Sequence, residues 1–250
     1  MNNNNNRIHI LNTQIDNLTM EETLAEVSKA IQENRLIHHT VVNAGKIVAL
    51  QKNEELKQGV NNADIINADG QAVVWASKML NKPLKERVAG IDLFTNLLEL
   101  AYRQQKKVYL LGAKENIVKE LIKRTDKKFT PSIIAGFHHG YFKKAEEEKI
   151  VQEISESGAH MLFVAMSSPM KEIFLDRYKK ELSSLNFIMG VGGSFDVLAG
   201  KTKRAPEWMQ RLGLEWFYRF LQEPRRMWKR YLVGNIKFIY LVIKEKISKK

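Results

Sequence analysis

One carboxylate and one glycine-rich loop carry the chemistry that can be read from the residues themselves. Asp69 lies in the turn Asn67-Ala68-Asp69-Gly70-Gln71, between a short strand-like run and a helical one. A carboxylate at the N-terminal end of a helix is favoured in its charged form by the helix dipole. There it can act as a general base toward a substrate hydroxyl, although capping the helix is an equally common duty for such an aspartate. The loop Gly190-Val191-Gly192-Gly193-Ser194-Phe195-Asp196 follows the strand-like run from Asn186 to Met189. Bare backbone there lets a phosphorylated ligand approach closely. Spacing removes several better-known uses of such a loop. Phe195 occupies the third glycine of a G-x-G-x-x-G and also the first glycine of a P-loop ending in Gly200-Lys201-Thr202, and Asp196 blocks a nucleophile elbow at Ser194. Arg87, beyond the break at Pro83, can answer a phosphate, but alone it reads as a surface arginine.

Other chemistries have no residues to work with. The 250-residue chain contains no cysteine, which excludes disulfides, thiolate zinc sites and a cysteine nucleophile. There is no H-E-x-x-H and no D-x-D, and His138-His139 are adjacent rather than four apart. We therefore expect no metal and no cofactor. A nucleotide diphosphate would have to be stabilised by backbone amides, helix termini and cations.

Alternating apolar and amphipathic runs position these residues. Thr19-Met20-Glu21-Glu22 is a capping box that opens a helix to about Gln32. Strands are expected at Ile37 to Val42, Ala63 to Ile66, Lys107 to Leu111, Ser132 to Ala135, His160 to Met166 and Asn186 to Met189. Helical periodicity fills Ala44 to Val60, Gln71 to Leu80, Gly90 to Gln105, the stretch after Lys114, Ala145 to Glu156 and the stretch after Pro169. This alternation predicts an α/β, Rossmann-like fold, a mostly parallel sheet with helices on both faces. Ligands of such sheets bind beyond the carboxyl ends of the strands. Asn43, Asp69, Gly112, Ser167 and Gly192 all fall there and should share one rim.

The character changes near Gly200. From Lys201 to Lys250, 14 Lys or Arg face 4 Asp or Glu, which places +10 of the chain's +12 in its last fifth. We divide the chain into a core over 1–200 and a basic helical appendage over 201–250. Glu207 to Leu221 spaces Trp208, Leu212, Trp216 and Phe220 at helical intervals, and a final helix is expected from Arg225 to about Ile247. Its most apolar part, Tyr231 to Ile243, is too short and too polar to span a bilayer. A basic, aromatic, amphipathic helix suits a membrane interface; burial of Trp208, Trp216 and Phe217 in a core explains the aromatics equally well. The N-terminal asparagines carry no signal pattern and read as a disordered lead.

Several motifs, taken in order, resemble the WecG/TagA/CpsF family of bacterial glycosyltransferases. They are Ala63-Asp64-Ile65-Ile66 with Asp69-Gly70, Val73-Val74-Trp75-Ala76, Glu86-Arg87-Val88-Ala89-Gly90-Ile91-Asp92-Leu93, Leu110-Leu111-Gly112 and Ser168-Pro169 with Glu172. The series continues through the loop from Gly190 to Gly200, Lys203-Arg204-Ala205-Pro206-Glu207-Trp208 and Glu223-Pro224-Arg225-Arg226. The resemblance implies an inverting, metal-independent transferase that moves an N-acetylhexosamine, typically N-acetylmannosamine, from UDP. It further implies an undecaprenyl-diphosphate-linked sugar as acceptor, on the cytoplasmic face of the cell membrane, in teichoic acid, capsule or common-antigen synthesis. By the same likeness Asp69 is the catalytic base. Asn43, Arg87, Lys171, Gly192, Gly193 and Asp196 surround the donor, and Arg219 and Arg226 contact the acceptor diphosphate. The implied enzyme is a peripheral protein that meets the membrane through its appendage, and a self-associating core that hides apolar surface until then is compatible with it.

Two positions depart from the family's pattern. Val41 stands where a threonine is usual, and Lys171 where a glutamine is usual. A lysine cannot accept a hydrogen bond as an amide oxygen can, so the identity of the sugar is left open at both. Two rivals remain in view. The basic aromatic tail also fits a nucleic-acid-binding protein, and the glycine loop fits, less well, a dinucleotide binder.

Overall fold

The computed structural model describes residues 7–228 and 234–248, with the side chains of Arg226 and Met227 excepted. The asparagine lead lies outside them. Six parallel strands form the sheet: β3 (Ile37–Val42), β4 (Ile65–Ala68), β5 (Val108–Gly112), β6 (Ile134–His138), β7 (Met161–Ala165) and β8 (Phe187–Gly190). Their spatial order is β4-β3-β8-β7-β5-β6. Helices cover both faces, which is why β3, β5 and β7 are buried along their whole length. One face carries α1 (Met20–Gln32), α5 (Gly90–Arg103), α6 (Glu115–Lys128) and the short α9 (Ser194–Leu198), packed around Phe94, Phe163 and Phe195. The other carries α2 (Ala44–Leu50), α3 (Glu54–Asn61) and α4 (Gln71–Met79) over β3 and β4, and α7 (Glu147–Glu156) and α8 (Met170–Arg177) over the remainder.

The α/β architecture is as expected, and local differences have identifiable causes. The run from Ala44 to Val60 is two helices, because the Asn53 side chain accepts from the Leu56 N–H and starts a new one. Arg7–Ile10 (β1) and Thr13–Asp16 (β2) form an antiparallel hairpin that no sequence pattern had signalled. Asp16 ties it to the sheet by accepting from the Ile66 N–H at 2.7 Å, while Arg7 pairs with Asp16 at 2.8 Å.

The last fifth of the chain is α10 (Glu207–Arg211), α11 (Glu215–Gln222), α12 (Pro224–Trp228) and α13 (Gly234–Ser248). Gly213, at φ +72, separates α10 from α11 where one helix was expected. Helix α13 returns to the core, with Phe238 and Val242 buried in the cluster that contains Ile15, Ile47 and Ile66. Residues 201–250 therefore contribute to the core as well as to the surface. Phe238→Ala should cost about 3–5 kcal/mol, the usual range for emptying a buried phenylalanine site. Urea denaturation of the full-length chain checks this.

Strand β3 also buries two histidines on opposite faces. Burial first, then the charge of Lys179, lowers His38 to about 3. Burial lowers His39 to about 4 despite its 2.8 Å bond to Asn67. Both rings are neutral in the fold, whereas an unfolded histidine takes up a proton near 6.5. Protons thus favour the unfolded chain as pH falls from about 6.5 toward 4, and each histidine then costs about 1.4 kcal/mol for every further pH unit. Stability should drop across that window, and His39→Gln, which retains a donor for Asn67, should flatten the drop. Urea midpoints at pH 7 and pH 4.5 measure both effects.

Candidate active site

Parallel strands bring their carboxyl ends to one rim, and the loops there interlock. Gly70 follows β4 so closely against the loop after β3 that a Cβ on it would stand 3.2 Å from the Asn43 Cβ. The expected neighbours Asn43 and Asp69 are thereby brought together. Asn43 caps α2, accepting from the Lys46 N–H at 3.0 Å. Asp69 donates its backbone N–H to the Val42 carbonyl at 2.9 Å, and its Oδ1 accepts from the Gly90 N–H at 3.1 Å. That amide is the first of α5, one of the donors a helix start leaves without an intrahelical partner. The half-buried carboxylate is thus oriented by a helix N-terminus other than the one that follows it in sequence.

Arg87, three residues before Gly90, lines a cavity of about 560 Å³ together with Gln71, Asp92, Arg204, Glu207, Gln210 and Arg211. Four of these seven come from the C-terminal segment, which forms one wall. Gly213 fixes its height, since a Cβ there would stand 2.7 Å from the Gln71 Cβ at the start of α4. Glu215 bridges two cations, with Oε1 3.3 Å from Arg204 Nε and Oε2 3.5 Å from an Arg87 nitrogen. Arg204 also forms a bidentate pair with Asp92 at 2.5 and 2.8 Å. Burial opposes the charge on Arg204, and these two carboxylates outweigh it, raising its pKa above the ordinary arginine value. The cavity can accept a phosphate or diphosphate, given its guanidinium groups.

Lys171, Gly192, Gly193 and Asp196 follow the ends of β7 and β8, further along the rim. Lys171 is buried, and its stem runs beneath Gly190 at the end of β8, where a Cβ would stand 2.9 Å from the Lys171 Cδ. Its ammonium is 2.7 Å from Glu172 Oε1, as is that of Lys46. Burial would raise the Glu172 pKa, but the two ammonium groups prevail and hold it at about 2. This buried two-cation, one-carboxylate group reaches the end of β8 through the Lys171 stem at Gly190. Gly192 has φ +54, and a side chain at Gly193 would meet nothing within 4 Å, so that backbone is open to a ligand. Asp196, in α9, pairs with Lys201 at 3.2 Å. Arg219 lies on α11 with no ion pair to a described residue, and the Arg226 side chain lies outside the described residues.

Sequence reasoning passed over Asp92, Arg204 and Glu215 as site residues although all stand in or near the motifs quoted above. Their partnership joins positions 112 and 11 residues apart, and no local pattern encodes it. Among the described residues no cluster of three His, Asp or Glu side chains has the geometry of a metal site.

The model of the glycosyl transferase WecG/TagA/CpsF family matches residues 8–250. Three bacterial proteins, each named N-acetylglucosaminyldiphosphoundecaprenol N-acetyl-β-D-mannosaminyltransferase, are similar to the chain. The one from Bacillus spizizenii is 39% identical over 193 residues, covering 77% of this chain and 73% of its own. The Bacillus subtilis protein is 36% identical over 211 residues, covering 84% and 80%. The Staphylococcus aureus protein is 32% identical over 246 residues, covering 96% and 93%. The chain belongs to the WecG/TagA/CpsF family of glycosyltransferases.

Proposed function

We propose that the protein transfers N-acetylmannosamine from UDP-N-acetylmannosamine to the N-acetylglucosamine of an undecaprenyl-diphosphate-linked acceptor. The observation that carries the reading is the placement of Asp69, fixed by the Gly90 N–H, on the same helix start that bears the arginine-lined cavity. Its relatives' shared name supports the acceptor and the sugar transferred, and the family resemblance supports UDP as its carrier. In this reading Asp69 removes the proton from the acceptor hydroxyl as its oxygen attacks C1 of the donor sugar. The C1–oxygen bond to UDP breaks on the opposite face, the anomeric configuration inverts, and UDP leaves with the electron pair. Arg87 meets the charge that develops on the leaving diphosphate, without a metal. Asn43 and the Gly192-Gly193 backbone border the donor, and Lys171 acts from beside Gly190 at the end of β8. Arg219 and Arg226 take the acceptor diphosphate.

A lipid acceptor requires approach to a membrane. No helix among the described residues is long and apolar enough to cross one. Trp208 and Leu212, and Phe217 with Leu221, instead stand exposed one helical turn apart near Arg211 and Arg219 in sequence. Helix α13 buries Phe238 and Val242 yet exposes Ile236, Tyr240, Ile243 and Ile247 on another side. Such apolar positions among cations suit insertion at an anionic bilayer surface, and we place the enzyme peripherally on the cytoplasmic face.

The product decides the proposal. The protein, supplied with a soluble N-acetylglucosamine-diphospho-lipid analogue and a panel of UDP-sugars in chelator, should form one disaccharide, from UDP-N-acetylmannosamine, with a β linkage by NMR. An α linkage would overturn inversion, and a different preferred sugar would overturn the donor assignment.

A further inference from the structure

The C-terminal segment closes an alternating series of charges along the cavity. Asp92, in the first turn of α5, grips Arg204 with both oxygens; Arg204 touches Glu215; Glu215 touches Arg87. The series begins and ends on one short stretch of backbone, with Gly90, the residue that orients Asp69, lying between Arg87 and Asp92. The grip differs along it. A bidentate carboxylate pair fixes the plane of a guanidinium, and Arg204 has one. Among the described residues Arg87 has a single ion pair, of 3.5 Å, although its side chain is only 17% exposed. Most of its five N–H donors therefore meet no described residue, and the carboxylate it does meet, Glu215, is itself 14% exposed.

We propose that Glu215 and Arg204 are positioning residues: anchored on Asp92, they hold the Arg87 guanidinium in register with Asp69, so that docking of the C-terminal segment and alignment of the phosphate-binding cation are one event. This rests on the transferase reading, in which Arg87 meets the donor diphosphate. It makes the C-terminal segment part of the donor site as well as the acceptor site. Glu215→Gln retains the shape of the side chain and removes the charge that links Arg87 to Arg204, while Asp92 still holds Arg204.

Two measurements on the full-length protein test it. In kinetics with UDP-N-acetylmannosamine, Glu215→Gln and Arg204→Gln should each lower kcat/KM about tenfold or more, as expected when a reacting group is misaligned. In an Arg87→Met background the same changes should alter it by less than about twofold, because residues acting through one another are not additive. Independently of turnover, phenylglyoxal labelling mapped by mass spectrometry should modify Arg87 several-fold faster in Glu215→Gln than in the unaltered chain. Equal proportional losses in both backgrounds, or unchanged labelling of Arg87, would overturn the positioning role. Absence of transfer by the unaltered protein would instead remove the transferase reading, and the labelling result alone would then decide whether Glu215 holds Arg87.

Discussion

Asp69→Asn should lower kcat by about 10²-fold or more, the scale on which a positioned general base contributes, while leaving the fold intact. The substitution is selective because of the bond that orients the group. An asparagine retains an Oδ1 that can accept from the Gly90 N–H, so the loop between β4 and α4 keeps its tie to α5. What it loses is the capacity to take a proton from the acceptor. Binding of UDP, measured by calorimetry, should persist. Near-normal turnover in a folded Asp69→Asn protein would remove this residue from the mechanism.

Arg87→Met should lower kcat/KM for the UDP-sugar by about 10²–10³-fold, the range seen when one preorganised donor to a developing anion is lost. Arg87→Lys should recover little of it, because an ammonium offers a point charge where a guanidinium offers a planar fork. Burial sharpens the expectation. Methionine fills much of the same half-buried space, and Glu215 still has Arg204 as a partner, so the loss is of phosphate recognition rather than of packing. Steady-state kinetics with each variant, alongside its urea midpoint, separates the two.

The parallel core was legible because strands buried on both faces need continuous apolar runs, and Met161–Ala165 and Ile37–Val42 supply them. The hairpin of β1 and β2 was not. Its turn residues, Leu11 and Asn12, both adopt positive φ, a conformation ordinarily signalled by Asn-Gly. Two merged helices have a common cause as well: Ile47, Leu50, Leu56 and Val60 bury against one cluster, so their periodicity runs unbroken through Asn53. At the site, Asn43 and Asp69 could be placed from sequence because both end parallel strands. The tie from Arg204 to Asp92 could not, since it is created only when the C-terminal segment folds back over α5. Of the three aromatics whose types left core or surface open, Trp208 and Phe217 are exposed and Trp216 is half-buried. Neither the fold nor the relatives support the nucleic-acid alternative that the basic tail had also suggested.

Initial rates of UDP release from UDP-N-acetylmannosamine, with and without the N-acetylglucosamine-diphospho-lipid acceptor, decide whether this site performs the transfer. Release that depends on the acceptor, continues in chelator and is lost in Asp69→Asn is the expected outcome. Folded protein that binds UDP yet releases none with this donor and acceptor, or releases it equally without acceptor, would contradict the assignment.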